Sequence, residues 1–328
     1  MKTGKVTLLT AIFIAMAFTF SCSSDDDGGG EIGTDSSSSV TETGNGSSSS
    51  VGDGRSSSSV GASSSSTDTQ GGGSHFNPDI TYGSFIDSRD SKTYRTVAIG
   101  DQTWMAENLN YNADGSKCYG EDGYVVEFND DEPIVVTLSN AEVQANCATY
   151  GRLYYWAMAM DLDLSCNKSE CASQVQTKHR GICPQGWHIP SNAEWHKLYE
   201  FAEEGECSYN DGDWGRCPTA GKHLKAKSGW NDVECDEEMM NDGDCDAIGT
   251  YSGNGKDTYG FSALPGGLGD DDDDYYFALI GNNGSWWSST EGSSDGGAYL
   301  QSTSYNIERM YWVRHNKSEF YSVRCVKD

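Results

Sequence analysis

The sequence is short of basic residues. Its 328 residues hold 22 Lys plus Arg against 50 Asp plus Glu, a formal net charge of −28. That balance argues against nucleic acid, because binding a polyanion needs a basic face that displaces counterions. It argues equally against docking on anionic lipid headgroups. A hydrophobic run long enough to span a bilayer is also missing. The apolar run Leu8–Phe20 has 13 residues, whereas a helix needs about 20 to cross roughly 30 Å of hydrocarbon. No Cys-x-x-Cys pair occurs and the six histidines lack ligand spacing, so no structural zinc or other metal site is expected.

What is present begins with an address. In residues 1–21, Lys2 and Lys5 give a positive start, the apolar run follows, and Ser21 supplies the small residue of a cleavage site. Cys22 comes next. This stretch resembles a bacterial lipoprotein signal, in which Cys22 becomes the acylated first residue. The cluster Asp25–Asp27 resembles the surface-export signals of some Gram-negative lipoproteins. The implied location is an outer-membrane lipoprotein exposed at the cell surface, touching the membrane through its lipid anchor.

Residues 22–74 form the second segment. Positions 23–74 hold 19 Ser and 12 Gly in 52, with runs of four serines starting at Ser36, Ser47, Ser56 and Ser63. So little apolar surface cannot offset chain entropy, and a disordered Ser/Gly linker is expected. As a Gly/Ser coil its root-mean-square span is about 40 Å. At His75 the composition changes. Residues 75–328 carry all nine Trp, all 18 Tyr and ten of the 11 Cys, which suits one domain. They also hold 19 basic and 42 acidic residues, so the acidity belongs mainly to this domain.

Within that domain "KTYRTVAIG", "QTWMAENL", "FSALPGG", "SWWSST", "ERMYWVRH" and "EFYSVRCV" read as strands. The last two predict a terminal hairpin turning near Asn316–Lys317. One helix is well specified: Ser191 and Glu194 have capping-box spacing, and Trp195, Leu198, Tyr199 and Ala202 follow with helical periodicity. A shorter helix is expected over residues 220–227 and a third around Leu153–Met160. Few helices and many short strands indicate an α+β or β-rich architecture.

Ten cysteines in an exported domain predict up to five disulfides. Sequence does not determine the connectivity, but spacing ranks Cys166/Cys171, Cys207/Cys217 and Cys235/Cys245 first as local clips, with Cys118/Cys147 closing a longer insertion. Cys183 and Cys325 remain. So long a loop contributes about 4–5 kcal/mol in the chain-entropy model, more than any short clip.

The strings "DSRDSKTYRTVAIGDQTWMAENLNY", "NCATYGRLYYWAMAMDL", "RGICPQGWHIPSNAEWHKLYEFA", "AGKHLKAKSGW", "DTYGFSALPGG", "WWSST" and "SVRCVKD" occur in this order. Together they closely resemble the Fibrobacter succinogenes major paralogous domain family, over about residues 85–328. The family occurs in exported lipoproteins, often behind Ser-rich linkers, and has no established molecular function. Against it, residues 122–138, 209–216 and 232–246 look like insertions. More distantly the layout resembles a disulfide-stapled C-type lectin-like fold, in which a long-range bridge joins the first-helix region to the last strand. That fold's Glu-Pro-Asn, Gln-Pro-Asp and Trp-Asn-Asp sugar motifs are missing here.

Catalytic patterns are weak. "GSSDG" at 292–296 matches a nucleophile elbow around Ser294, but its flanks are not strand and helix. His179, His188, His196 and His223 complete no constellation and read as structural. Asp242, Asp244 and Asp246 alternate as in an EF-hand but lack its Gly and Glu. The run Asp270–Asp274 is expected to be a solvated loop, with loose calcium uptake as its only cofactor reading. The aromatics remain. Trp104, Trp156, Trp187, Trp195, Trp286 and Trp287 are expected in the core, while Trp214, Trp230, Tyr275, Tyr276, Tyr311 and Trp312 are candidates for an exposed, ligand-binding stripe.

The leading expectation is a non-enzymatic, lipid-anchored surface module that binds polysaccharide or another surface component. A structural envelope lipoprotein without ligand is the second reading. An enzyme related to the formylglycine-generating type, which needs a free reactive cysteine, is the third.

Overall fold

The capping box predicted at Ser191 is present. The Glu194 carboxylate accepts from the Ser191 amide at 2.9 Å and from its hydroxyl at 2.8 Å, and the helix runs Asn192–Ala202. These features belong to a computed structural model that describes residues 75–129, 132–210, 214–241, 245–270, 275–292 and 297–328. The signal, Cys22, the linker, Ser294, and Asp271 to Asp274 of the acidic run lie outside the described residues.

The described chain is α+β. A five-stranded antiparallel sheet has the order β1 (Gly83–Ile86), β2 (Thr93–Ile99), β3 (Gln102–Met105), β18 (Val326–Lys327), β7 (Trp187–His188). The first three strands and the last one therefore meet. A four-stranded sheet has the order β12 (Gly266–Asp270), β13 (Tyr276–Ile280), β4 (Tyr124–Asn129), β5 (Glu132–Val136), with β13 and β4 parallel. The largest sheet has seven strands: β6 (Leu153–Tyr154), β17 (Tyr321–Ser322), β14 (Asn283–Glu291), β15 (Ala298–Ser304), β16 (Met310–His315), β9 (Trp214–Cys217), β8 (Ser208–Asn210). A small ladder pairs β10 (Asp232–Cys235) with β11 (Gly249–Ser252). The helices are α1 (Asn140–Tyr150), α2 (Trp156–Ala159), α3 (Asn192–Ala202), α4 (Ala220–Leu224) and α5 (Glu237–Asn241).

Packing explains the strand patterns. From Asn283 to Ser289, β14 is buried on both faces, so its serines lie inside. They are satisfied there: the Ser285 and Ser302 hydroxyls are 2.9 Å apart, and Ser289 N donates to Pro190 O at 2.9 Å. Helix α3 buries Trp195, Leu198, Tyr199 and Ala202, and Trp195 meets Trp104, Phe261 and Trp286 at ring separations of 4.8, 6.0 and 6.2 Å. Arg324 sits fully enclosed beneath them. Its guanidinium donates to Asn108 Oδ1 at 2.8 Å, lies 4.3 Å over Phe261, and is pushed down to about 9 by burial.

The five disulfides are Cys118–Cys147, Cys166–Cys171, Cys183–Cys325, Cys207–Cys217 and Cys235–Cys245, the pairing that spacing favours. The terminal hairpin does not form. Both edges of β16 are taken, by β15 and β9, so the chain leaves it and inserts β17 between β14 and β6. "FSALPGG" is a largely buried connection with only its last two residues in β12. The helix expected at Leu153–Met160 splits into strand β6 and the single turn α2. Helix α4 occupies the first five residues of the 220–227 segment.

Candidate functional site

Of the six aromatics expected on the surface, three are core residues. Trp230 is 4% exposed, Tyr276 3% and Trp312 2%. Each has a physical reason. The Trp230 indole N–H donates to Ala263 O at 3.0 Å, with the Lys225 ammonium 5.0 Å over its ring. Trp312 lies against His196 at 4.1 Å and presses on Gly215, where an added Cβ would come within 2.0 Å of the indole. Tyr276 joins the main core cluster beside Leu268 and Trp287. Trp214, Tyr275 and Tyr311 are half-buried. The sequence-predicted stripe therefore does not exist as one surface.

Tyr275 nonetheless anchors a smaller patch. It immediately precedes β13, where Gly123 comes so close that an added Cβ would lie 2.2 Å from Tyr275 O. The Tyr124 amide donates to that oxygen at 3.0 Å. Beneath lies Phe320, fully buried and tied to β12 by the bridge to Gly269. Tyr155, the residue before α2, places its ring 3.9 Å from Phe320, and Tyr275 meets Phe320 edge-on at 5.9 Å. Lys117 reaches over the Tyr275 ring at 4.5 Å and pairs with Asp122 at 2.8 Å. Tyr155 and Tyr275 are both half-buried and flank a buried aromatic floor. Lys117 and Asp122 supply polar groups beside the Tyr275 ring. Lys117, Tyr155 and Phe320 carry no sequence signal of their own; they are brought to Tyr275 by pairings distant in the chain.

Behind this patch the segment 315–321 carries buried ionisable groups. The Tyr321 hydroxyl donates to Glu319, and His315 Nδ1 lies 2.9 Å from the same carboxylate oxygen. Burial holds the Tyr321 phenol well above its ordinary value, with the Glu319 charge adding to it. Lys317 and Glu291 form a fully enclosed ion pair. Glu291 also accepts from the Cys171 amide at 2.8 Å, Lys317 donates to Ser169 O at 2.7 Å, and Trp156 lies 4.8 Å from the ammonium. These contacts tie the Cys166–Cys171 clip to β14.

Among the described residues one donor cluster, Glu203 with Cys207 and Cys217, has metal-ligand proximity. Its two sulfurs are bonded to each other, and Glu203 accepts from the Thr219 and Ala220 amides at 2.9 and 3.0 Å. It serves as the cap of α4. Of the acidic run, Asp270 is described, at the buried end of β12; of the EF-like triplet only Asp246 is. His179 contacts Met160 O at 2.7 Å, and His223 contacts Thr258 and Glu204 at 2.8 and 3.1 Å. Those roles are structural.

Residues 97–327 match the Fibrobacter succinogenes major domain. The chain belongs to that family. The Fibrobacter succinogenes major domain brings no assigned reaction with it. Its span covers every strand from within β2 through β18, and so includes both the Tyr155–Tyr275 patch and the Cys183–Cys325 bridge. No curated protein and no solved structure matches the chain.

Proposed function

We propose that this chain is a lipid-anchored binding module of the outer cell surface, which presents its domain on the Ser/Gly tether and holds polysaccharide at the Tyr155–Tyr275 patch. The carrying observation is the pair of half-buried tyrosines over Phe320, with Lys117 and Asp122 at the rim. Sugar rings place flat C–H faces against aromatic rings, and the adjoining polar groups take their hydroxyls. Support for the anchor comes from the signal-like residues 1–21 and Cys22. Among the described residues no helix is long and apolar enough to cross a membrane. A C-type lectin-like fold is supported by the Cys183–Cys325 bridge, which joins the chain just before α3 to the last strand, and by β18 lying beside β3. A formylglycine-generating type of reaction has less support, since it needs a free thiol and all ten described cysteines are paired.

The test is retention of the full chain on insoluble neutral polysaccharides, with and without calcium. Wild type is expected in the bound fraction. Tyr155→Ala and Tyr275→Ala should each weaken retention by about 1 kcal/mol, roughly fivefold. If no polysaccharide retains the wild-type chain, the structural-lipoprotein reading takes its place.

A further inference from the structure

His188 stands on β7 with its side chain 1% exposed, and both of its ring nitrogens meet carboxylates. Nε2 lies 2.7 Å from Glu194 Oε1, in the first turn of α3. Nδ1 lies 2.8 Å from Asp328 Oδ1, directly after β18. A neutral imidazole has one N–H and one lone pair, so it can donate to one of these oxygens only. The lone pair would then face the second carboxylate from a ring that is itself enclosed. A doubly protonated ring satisfies both contacts. We propose that His188 is a buried imidazolium that latches the end of the last strand to the first turn of α3, and that the latch opens as pH rises.

The surrounding charges fit this assignment. Among the described residues Glu194 from α3 and Asp328 beyond β18 are the charged groups that reach the ring. The partner of Val326 on β3 is Trp104, which does not titrate. Lys327 is exposed, and Lys197, one turn along α3, pairs with Asp101. Burial lowers the affinity of His188 for its second proton, but the hydrogen bonds and charges of Glu194 and Asp328 outweigh it and raise the group above 6.5. Burial also disfavours the Glu194 anion, yet the His188 and Ser191 contacts hold its carboxyl at about 2. A raised histidine contributes fully below 6.5, and its contribution is lost as pH climbs through the folded-state value. Glu194 contributes fully above 4.5 and loses this only toward about pH 2. The latch is therefore complete between these limits and weakens on the alkaline side.

Asp328 is the arm that leaves. Its side chain is 50% exposed, against 25% for Glu194, which the capping box also retains. The Cys183–Cys325 bridge fixes Cys325, so opening starts beyond it, at residues 326–328, where Asp328 N donates to Gly186 O at 3.1 Å.

The experiment uses the full chain. Long-range proton–nitrogen NMR of the labelled imidazoles reads the protonation of His188, and amide exchange of residues 326–328 reads the latch. At pH 6 both His188 nitrogens should carry protons. Above 6.5 the ring should titrate, and exchange of 326–328, corrected for base catalysis, should rise several-fold through the same midpoint. Asp328→Asn should lower that midpoint and speed exchange at pH 6; its exposed position leaves the fold intact. His188→Gln should remove the transition. A single protonated nitrogen at pH 6 overturns the assignment. Flat exchange across the His188 titration overturns the latch.

Discussion

At the scale of single residues, burial decides which aromatics can meet a ligand. Trp312 is enclosed by Gly215, His196 and Tyr199, so Trp312→Ala should destabilise the domain by about 3–5 kcal/mol, read in denaturant unfolding. Tyr275→Ala should cost far less, because its ring is half-buried at a rim. The enclosed pair Lys317–Glu291 gives a second contrast. Glu291→Ala strands a buried ammonium and should cost about 3–5 kcal/mol, whereas the double change Lys317→Met with Glu291→Leu leaves no buried charge, only the Cys171 amide and Ser169 carbonyl to be satisfied anew, and should cost clearly less. Chemical denaturation of both variants checks this; equal losses would contradict it. The sequence could not sort these residues. Trp230, Tyr276 and Trp312 sit in stretches rich in Gly, Asp and Arg that look superficial, and only long-range packing covers them.

At the scale of elements, two helices show what local signals can and cannot tell. Both α1 and α3 begin with the same Ser-Asn-Ala-Glu capping box, at Ser139 and Ser191. Helix α3 was legible because four apolar residues follow at helical spacing. Helix α1 buries only Val143 and Cys147, so its body carries no stripe, and the cap alone did not reveal it. Its stability leans on the cap and the Cys118–Cys147 bridge. Ser139→Ala should therefore cost about 1 kcal/mol, visible as faster amide exchange along 140–150. The missing terminal hairpin has a comparable cause. "ERMYWVRH" and "EFYSVRCV" are adjacent in sequence, but β9, far earlier in the chain, closes the free edge of β16 by pairing Trp214–Cys217 with Met310–Val313.

At the scale of the molecule, the bridges and the interleaved ends define the fold. The cysteine pairing was legible because an even count and short spacings leave few sensible partners, and the family strings carried the domain's extent. Cys183–Cys325 spans 142 residues, while Cys166–Cys171 spans 5. Removing the first by a paired Ser change should cost about 4–5 kcal/mol, and removing the second clearly less, in calorimetric or denaturant melts. The candidate site was only partly legible: Tyr275 was singled out, but Lys117 and Tyr155 come together through the Lys117–Leu153 bridge, and Phe320 joins them through the Gly269–Phe320 bridge. The binding proposal is tested most directly by titrating the full chain, with its tyrosine, tryptophan and phenylalanine rings labelled, with a soluble neutral oligosaccharide. Ring resonances of Tyr155 and Tyr275 should shift saturably while those of Trp230, Tyr276 and Trp312 stay fixed. Saturable shifts elsewhere with these two rings unmoved would contradict the site, and no shift with any neutral sugar would contradict the binding function itself.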